Sequence, residues 1–252
     1  MARDFDGVDD QINFGTSTSY DLSTFTAMAW VKFAANFTAE RMIVAKNTSG
    51  GTGRQYIATA VSAQNCVACF ANRATLYAYS ASAANVLTAN AWNLVVATLD
   101  GGTTAPKLYV GAGGADLTEV ATYTSSIIGS GAFTSPSAYS LRLGLRDGLD
   151  VVWLGHIAEA ALWNRVLSAA ELNALNRYAS PLLIPSGLVF YSPTEGALSP
   201  EPDISVTAGS GTVTGAPQST HQTIYRFQRS NINPMNGTQY ALASGLGGAL
   251  IE

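Results

Sequence analysis

Charge is what this 252-residue chain has least of. Asp, Glu, Lys and Arg together make up 12% of it, about half the roughly 25% of an average globular protein. Hydrophobic residues stand at an ordinary 47%. The surface is therefore built mostly from Ala, Ser, Thr, Asn and Gly. A solitary soluble protein carries more charge to stay dispersed, so the composition favours a chain packed into an oligomer or lattice. The net charge of −4 and the lack of basic clusters give no reason to expect nucleic acid as a partner.

Histidine and cysteine are equally scarce, at two each. His156 and His221 lie far apart with no ligand spacing around them, so both are expected in structural or surface roles rather than on a metal. Cys66 and Cys69 form a C-x-x-C within NCVACFANRATLYAYS, which reads as a strand. Residues three apart on a strand point to opposite faces, so the two thiols are expected reduced and unable to share a bond or an ion. The stretch Ala74 to Leu99 lacks charge. Its Ser80, Ser82, Asn85, Thr88, Asn90 and Asn93 make it two strands and a turn, not a membrane span. The opening MARDFDGVDD has no apolar signal region. Synthesis in a cytoplasm is expected, with the sequons at Asn36, Asn47 and Asn236 left bare. HExxH, GxSxG and P-loop motifs are absent.

What is present is a series of short β segments, to about residue 178, broken by Gly, Ser and Asn turns. Met28 and Trp30 share one face of a strand. Leu94, Val96 and Thr98 alternate with Val95, Ala97 and Leu99, so both faces are apolar, as in a central sandwich strand. Asp100-Gly101-Gly102 turns the chain into Lys107-Leu108-Tyr109-Val110. One helix is marked by Ser168 as N-cap with Glu171 three residues on, a capping box. Leu167 is placed to staple onto Leu172. The helix is expected to run to about Tyr178, to be stopped by Pro181 and to lie against an edge of the sandwich.

Five motifs in order carry a resemblance: Phe5-Asp6-Gly7-Val8-Asp9-Asp10, Trp30-Val31, Trp92-Asn93, Asn164-Arg165-Val166-Leu167-Ser168, and Glu171. Together they resemble the LamG-like branch of the concanavalin A-like jelly rolls. The resemblance implies an all-β, two-layer antiparallel sandwich over residues 1–178, with one short helix, an extended C-terminal tail, and Trp30 and Trp92 largely buried. The closing strand that usually reads I-D-E-V is Ile157-Ala158-Glu159-Ala160 here and lacks the Asp. The E-x-D-x-x-E run of related glycanases is missing, so no catalytic residue is assigned and no enzyme is expected. Some relatives bind Ca²⁺ at a rim. Asp6, Asp9 and Asp10, or Asp147 and Asp150, offer oxygens for it, although Asp in such turns more often bonds nearby amides. No cofactor or metal site is assigned. Tyr77 and Tyr79 share a strand face and either stack on a sugar or pack in a core or interface.

Residues 186–217, with Gly187-Leu188-Val189-Phe190-Tyr191 and Gly211-Thr212-Val213-Thr214, resemble the segment that normally precedes the F-D-G motif. They read as a permuted strand segment that completes the sandwich or swaps to a neighbour. Residues 218–252 form an extended arm whose Tyr225, Phe227 and Tyr240 are candidate interface residues. The resemblance implies a virion protein of a tailed bacteriophage: a capsid decoration or cement subunit, or a tail-associated protein. Its expected partners are the major capsid protein, copies of itself and surface glycans. A carbohydrate-binding adhesin is the alternative, and a glycoside hydrolase or lyase fragment is the third reading.

Overall fold

The computed structural model describes the chain except residues 48–54, 59–63, 102–103, 149–150, 195–198, 206, 208, 222–223 and 225–252. Sixteen strands are described: β1 (Ala2–Asp6), β2 (Gln11–Asn13), β3 (Phe25–Lys32), β4 (Met42–Ala45), β5 (Tyr56–Ala58), β6 (Ala68–Ala71), β7 (Ala78–Ser82) and β8 (Asn93–Leu99). They continue as β9 (Lys107–Gly111), β10 (Tyr123–Ile127), β11 (Arg142–Leu143), β12 (Leu154–Trp163), β13 (Leu188–Ser192), β14 (Glu201–Asp203), β15 (Gly209–Thr214) and β16 (Gln218–Ser219). One helix, α1 (Ala169–Asn176), follows β12. Among the described residues the strands form two antiparallel sheets. One runs β16-β1-β12-β3-β8-β9 with β13 also on β12; the other runs β10-β7-β6-β5-β4-β11-β2-β15-β14.

The expected two-layer sandwich is present, and β8 shows why it forms. Val95, Ala97 and Leu99 enter the core between the sheets. Leu94 and Val96, on the other face, join Met28, Trp30 and Trp163 in a second apolar layer. That layer is closed by Leu167, Leu172 and Leu175, so α1 covers the outer face of the sheet instead of an edge. A sheet apolar on both faces needs such a cover. Trp163 completes it by donating its Nε1–H to the carbonyl of Ile184 at 2.8 Å.

The helix starts where its sequence predicts. Ser168 caps the Glu171 amide, and Glu171 returns a hydrogen bond to the Ser168 amide at 2.8 Å. It ends at Asn176, two residues early. Tyr178 takes a left-handed φ of 65°, which stops a helix, and its ring stacks on Trp30 at 5.0 Å. Pro181 opens a separate short turn.

Residues beyond 186 pair within the chain: β13 on β12, β15 on β2 and on β14, and β16 on β1. Arg3 locks this return, donating to Glu201 at 2.8 Å and to the Ala216 carbonyl at 3.0 Å. Of the arm expected over 218–252, most lies outside the described residues. Gln218 and Ser219 pair with β1, and the His221 ring sits edge-on to Trp92 at 4.2 Å and 5.7 Å from Trp30. Trp30 is buried as expected. Trp92 is only half-buried, because it lies at the margin of the outer layer and not between the sheets. Cys66 and Cys69 are buried, not joined by a disulfide, and belong to the apolar clusters on opposite faces of their sheet.

Arg165 grips Glu171 with two nitrogens, at 2.9 and 2.6 Å. That contact first, then the Ser168 hydrogen bonds, hold the Glu171 carboxyl at about 2. A depressed carboxylate stabilises the fold above its unfolded value and loses that contribution as pH falls towards the folded one. Glu171→Gln is expected to cost about 1–2 kcal/mol at neutral pH. The gap between wild-type and variant melting temperatures should close between pH 4.5 and about 2, as followed by thermal unfolding.

Candidate functional site

The site is built by β1 and β12. Asp4 and Asp6 alternate on one side of β1 while Phe5 points into the core. The antiparallel register sets Asp4 opposite His156 and Asp6 opposite Leu154. Asp4 Oδ1 lies 3.2 Å from His156 Nδ1. A cleft of about 320 Å³ opens here, lined by Asp4, Phe5, Asp6, Ala34, Ala35, Phe37, Arg41, Leu154, Gly155 and His156.

The wall opposite β1 is the loop between β3 and β4, and its shape is fixed. Asn90 donates to the Phe33 carbonyl at 2.8 Å. The Asn65 side chain takes the Phe37 amide at 3.1 Å and donates to Asn36 at 2.7 Å. Phe37 packs edge-on to Phe33 and Trp153. The Arg41 guanidinium lies 5.7 Å above the Phe37 ring and reaches the Val152 carbonyl. Burial lowers the pKa of Arg41, yet arginine stays charged. The cleft therefore offers two carboxylates, a guanidinium and an imidazole over an apolar floor. Its volume is at the small end of the roughly 300–1,000 Å³ of small-molecule sites.

Asp6, Asp9 and Asp10 each bring a carboxylate oxygen within 4.8 Å of the others. Two of their oxygens hold the turn: Asp10 Oδ2 accepts from the Asp6 amide at 2.9 Å, and Asp6 Oδ1 from the Val8 amide at 2.8 Å. The carboxylate oxygens left over are fewer than the six to eight that Ca²⁺ takes. Asp147 accepts from the Ser140 amide and from Arg142; Asp150 lies outside the described residues.

Tyr77 and Tyr79 are not brought to the cleft. They form a cluster with Phe70 on the outer face of the other sheet, with centroids 6.3 and 4.6 Å from its ring. Glu159 is buried in β12 at a left-handed φ of 53°, hydrogen-bonded by the Tyr191 hydroxyl. His221 packs between tryptophans, a structural place, whereas His156 lines the cleft. Tyr225, Phe227 and Tyr240 lie outside the described residues. Sequence reasoning named neither Asp4 nor Arg41. The alternation of Asp4 and Asp6 was visible, but not the strand that would face them.

Residues 6–173 match the family described as the concanavalin A-like lectin/glucanases superfamily. No curated protein sequence matches the chain. Among solved structures, a Bacteroides ovatus protein provisionally described as carbohydrate binding is similar, with TM-score 0.60 and 17% identity. The similarity covers 89% of this chain and 61% of that one. The CBM40 of the Ruminococcus gnavus IT-sialidase, solved with α2,3-sialyllactose, gives TM-score 0.47 and 15% identity over 70% of this chain and 97% of its own. The enzymatically active domain of bacteriophage CBA120 tailspike protein 2 gives 0.46 and 11% over 76% and 33%. At these identities the likeness concerns the fold.

Gly155 is the tightest backbone position in the cleft. Its φ is 126°, and a Cβ there would stand 2.3 Å from the Lys32 carbonyl oxygen. Gly155→Ala is expected to destabilise the protein by about 1–3 kcal/mol or more, read as a lower denaturation midpoint with an unchanged m-value.

Proposed function

The chain belongs to the concanavalin A-like lectin/glucanases superfamily, and from that premise we propose that it is a non-enzymatic carbohydrate-binding module acting through the cleft between β1, β12 and the β3–β4 loop. The observation that carries this reading is the convergence of Asp4, Asp6, Arg41 and His156 on an apolar-floored cleft. Sugars present C–H faces and hydroxyls together. Phe37, Ala34, Ala35 and Leu154 meet the first; carboxylates, guanidinium and imidazole bond the second.

Hydrolysis asks for more. A glycosidase holds one carboxyl as an acid in a buried setting and faces it with a second carboxylate. Asp4 is 49% exposed and beside His156, Asp6 is exposed, and Glu159 is sealed beneath the outer layer. Binding without turnover is the expected outcome on a glycan array, with Arg41→Ala and Asp4→Asn each weakening it about tenfold, the scale of one lost charged hydrogen bond. Laminarin, alginate, peptidoglycan and capsule polysaccharides should yield no reducing ends. Release of reducing ends by the pure protein would overturn the non-enzymatic reading.

A second reading, as a component of a phage virion that contacts the major capsid protein and further copies of itself, is favoured by composition. Few residues are charged, and Arg3, Asp10, Lys46, Arg146, Glu159, Glu201 and Asp203 are buried. The solvent-facing surface therefore carries few charges in absolute number, since several of the chain's few ionisable side chains are spent inside. The arm holding Tyr225, Phe227 and Tyr240 is its proposed contact. Because β16 and His221 pack on the sandwich, the informative truncation falls after Ile224. That truncation should leave the melting temperature unchanged and reduce the sedimentation coefficient to that of a monomer. Equal sedimentation of both forms would remove this reading.

A further inference from the structure

The carbohydrate reading leaves the class of sugar open, and the charges lining the cleft bear on it. We propose, resting on that reading, that the cleft selects sugars bearing a free, protonated amino group over neutral and acidic ones. Asp4 and Asp6 line the cleft from one strand. Of the two basic side chains there, His156 stands with its Nδ1 3.2 Å from Asp4 Oδ1 and crowds that carboxylate. Arg41 is held over Phe37 and at the Val152 carbonyl, on the opposite wall. Asp6 has no basic partner among the ion pairs of the described residues. Its Oδ1 is occupied by the Val8 amide. The Asp9 and Asp10 carboxylates, within 4.8 Å of it, add negative charge on the same side.

A ligand seated in the cleft therefore meets a guanidinium from the β3–β4 loop and, from β1, a carboxylate without a basic partner. An ammonium at the Asp6 end makes a charge-assisted hydrogen bond. A uronate or sialate carboxylate at the same end meets like charge. A neutral hydroxyl gains an ordinary hydrogen bond and no more. The low charge elsewhere sharpens the contrast, since few competing fields act on an approaching ligand.

The test is titration calorimetry at neutral pH and low salt with four oligosaccharides of equal length: glucosamine, N-acetylglucosamine, glucose and galacturonate oligomers. Spermine serves as an amine without a sugar. The expected result is binding of the glucosamine oligomer at least about tenfold tighter than its N-acetylated form, with the preference lost in Asp6→Asn. Asparagine keeps an oxygen for the Val8 amide, so the turn survives; thermal unfolding of the variant checks this. If neutral or acidic oligomers bind as tightly, and Arg41→Ala or Asp4→Asn weakens them, the cleft binds carbohydrate and the amino-sugar selectivity is wrong. If spermine displaces the glucosamine oligomer at equal concentration, plain charge attraction explains the effect and the selectivity is again wrong. If no oligomer binds, or binding ignores every cleft variant, the carbohydrate reading itself fails and the inference with it.

Discussion

The pairing of β12 with three other strands is the constraint on which the rest of this molecule depends. Along one side β12 meets β3 from His156 to Trp163. Along the other it meets β1 with its first half and β13 with its second. The change of partner falls at Glu159, where the register slips and φ turns positive. A bulge of this kind bends and twists a strand. It sends Ile157, Ala160 and Leu162 into the core, while Ala158, Ala161 and Trp163 join the outer layer. Placing a carboxylate at the bulge is costly unless it is bonded, and the Tyr191 hydroxyl from β13 supplies a bond. The strand that returns from the C-terminal part of the chain thus stabilises the bulge that lets both β1 and β13 pair.

The site follows from the same pairing. The β1–β12 register sets His156 across from Asp4 and leaves Gly155 where only a glycine permits the Lys32 carbonyl to approach. The β3–β4 loop, braced by Asn65 and Asn90, carries Arg41 and Phe37 to the other wall. Most of the cleft is thus fixed by sheet register and a bonded loop. Such preorganisation limits the ordering cost of binding.

Much of the fold was legible in the sequence because its signals are local. The two apolar faces of Leu94–Leu99, the Ser168–Glu171 box and the opposed Cys66 and Cys69 each need only neighbouring residues to be interpreted. The site was not, because its parts are distant in sequence. Asp4 and His156 are joined by a register that depends on the bulge at Glu159, which no pattern announces. Asp21 and Lys46 likewise form a buried pair at 2.9 Å through contacts no spacing predicts. Trp92 looked like a core anchor by type and position. It lies instead at the margin of the outer layer, with His221 against it, because Asn93 and not Trp92 begins β8. The early end of α1 has the same origin. Tyr178 turns left-handed where its ring can stack on Trp30, a tertiary contact that overrides the run of helical residues.

The central claim is that the cleft beside β1 and β12 is where carbohydrate binds. Mapping amide shift changes by nuclear magnetic resonance, as a binding glycan is titrated into the isotope-labelled chain, tests it most directly. The account predicts that the largest changes cluster at residues 4–6, 34–41 and 154–156, with the Phe70, Tyr77 and Tyr79 amides still. Changes centred on those three aromatics, with the cleft unmoved, would contradict it.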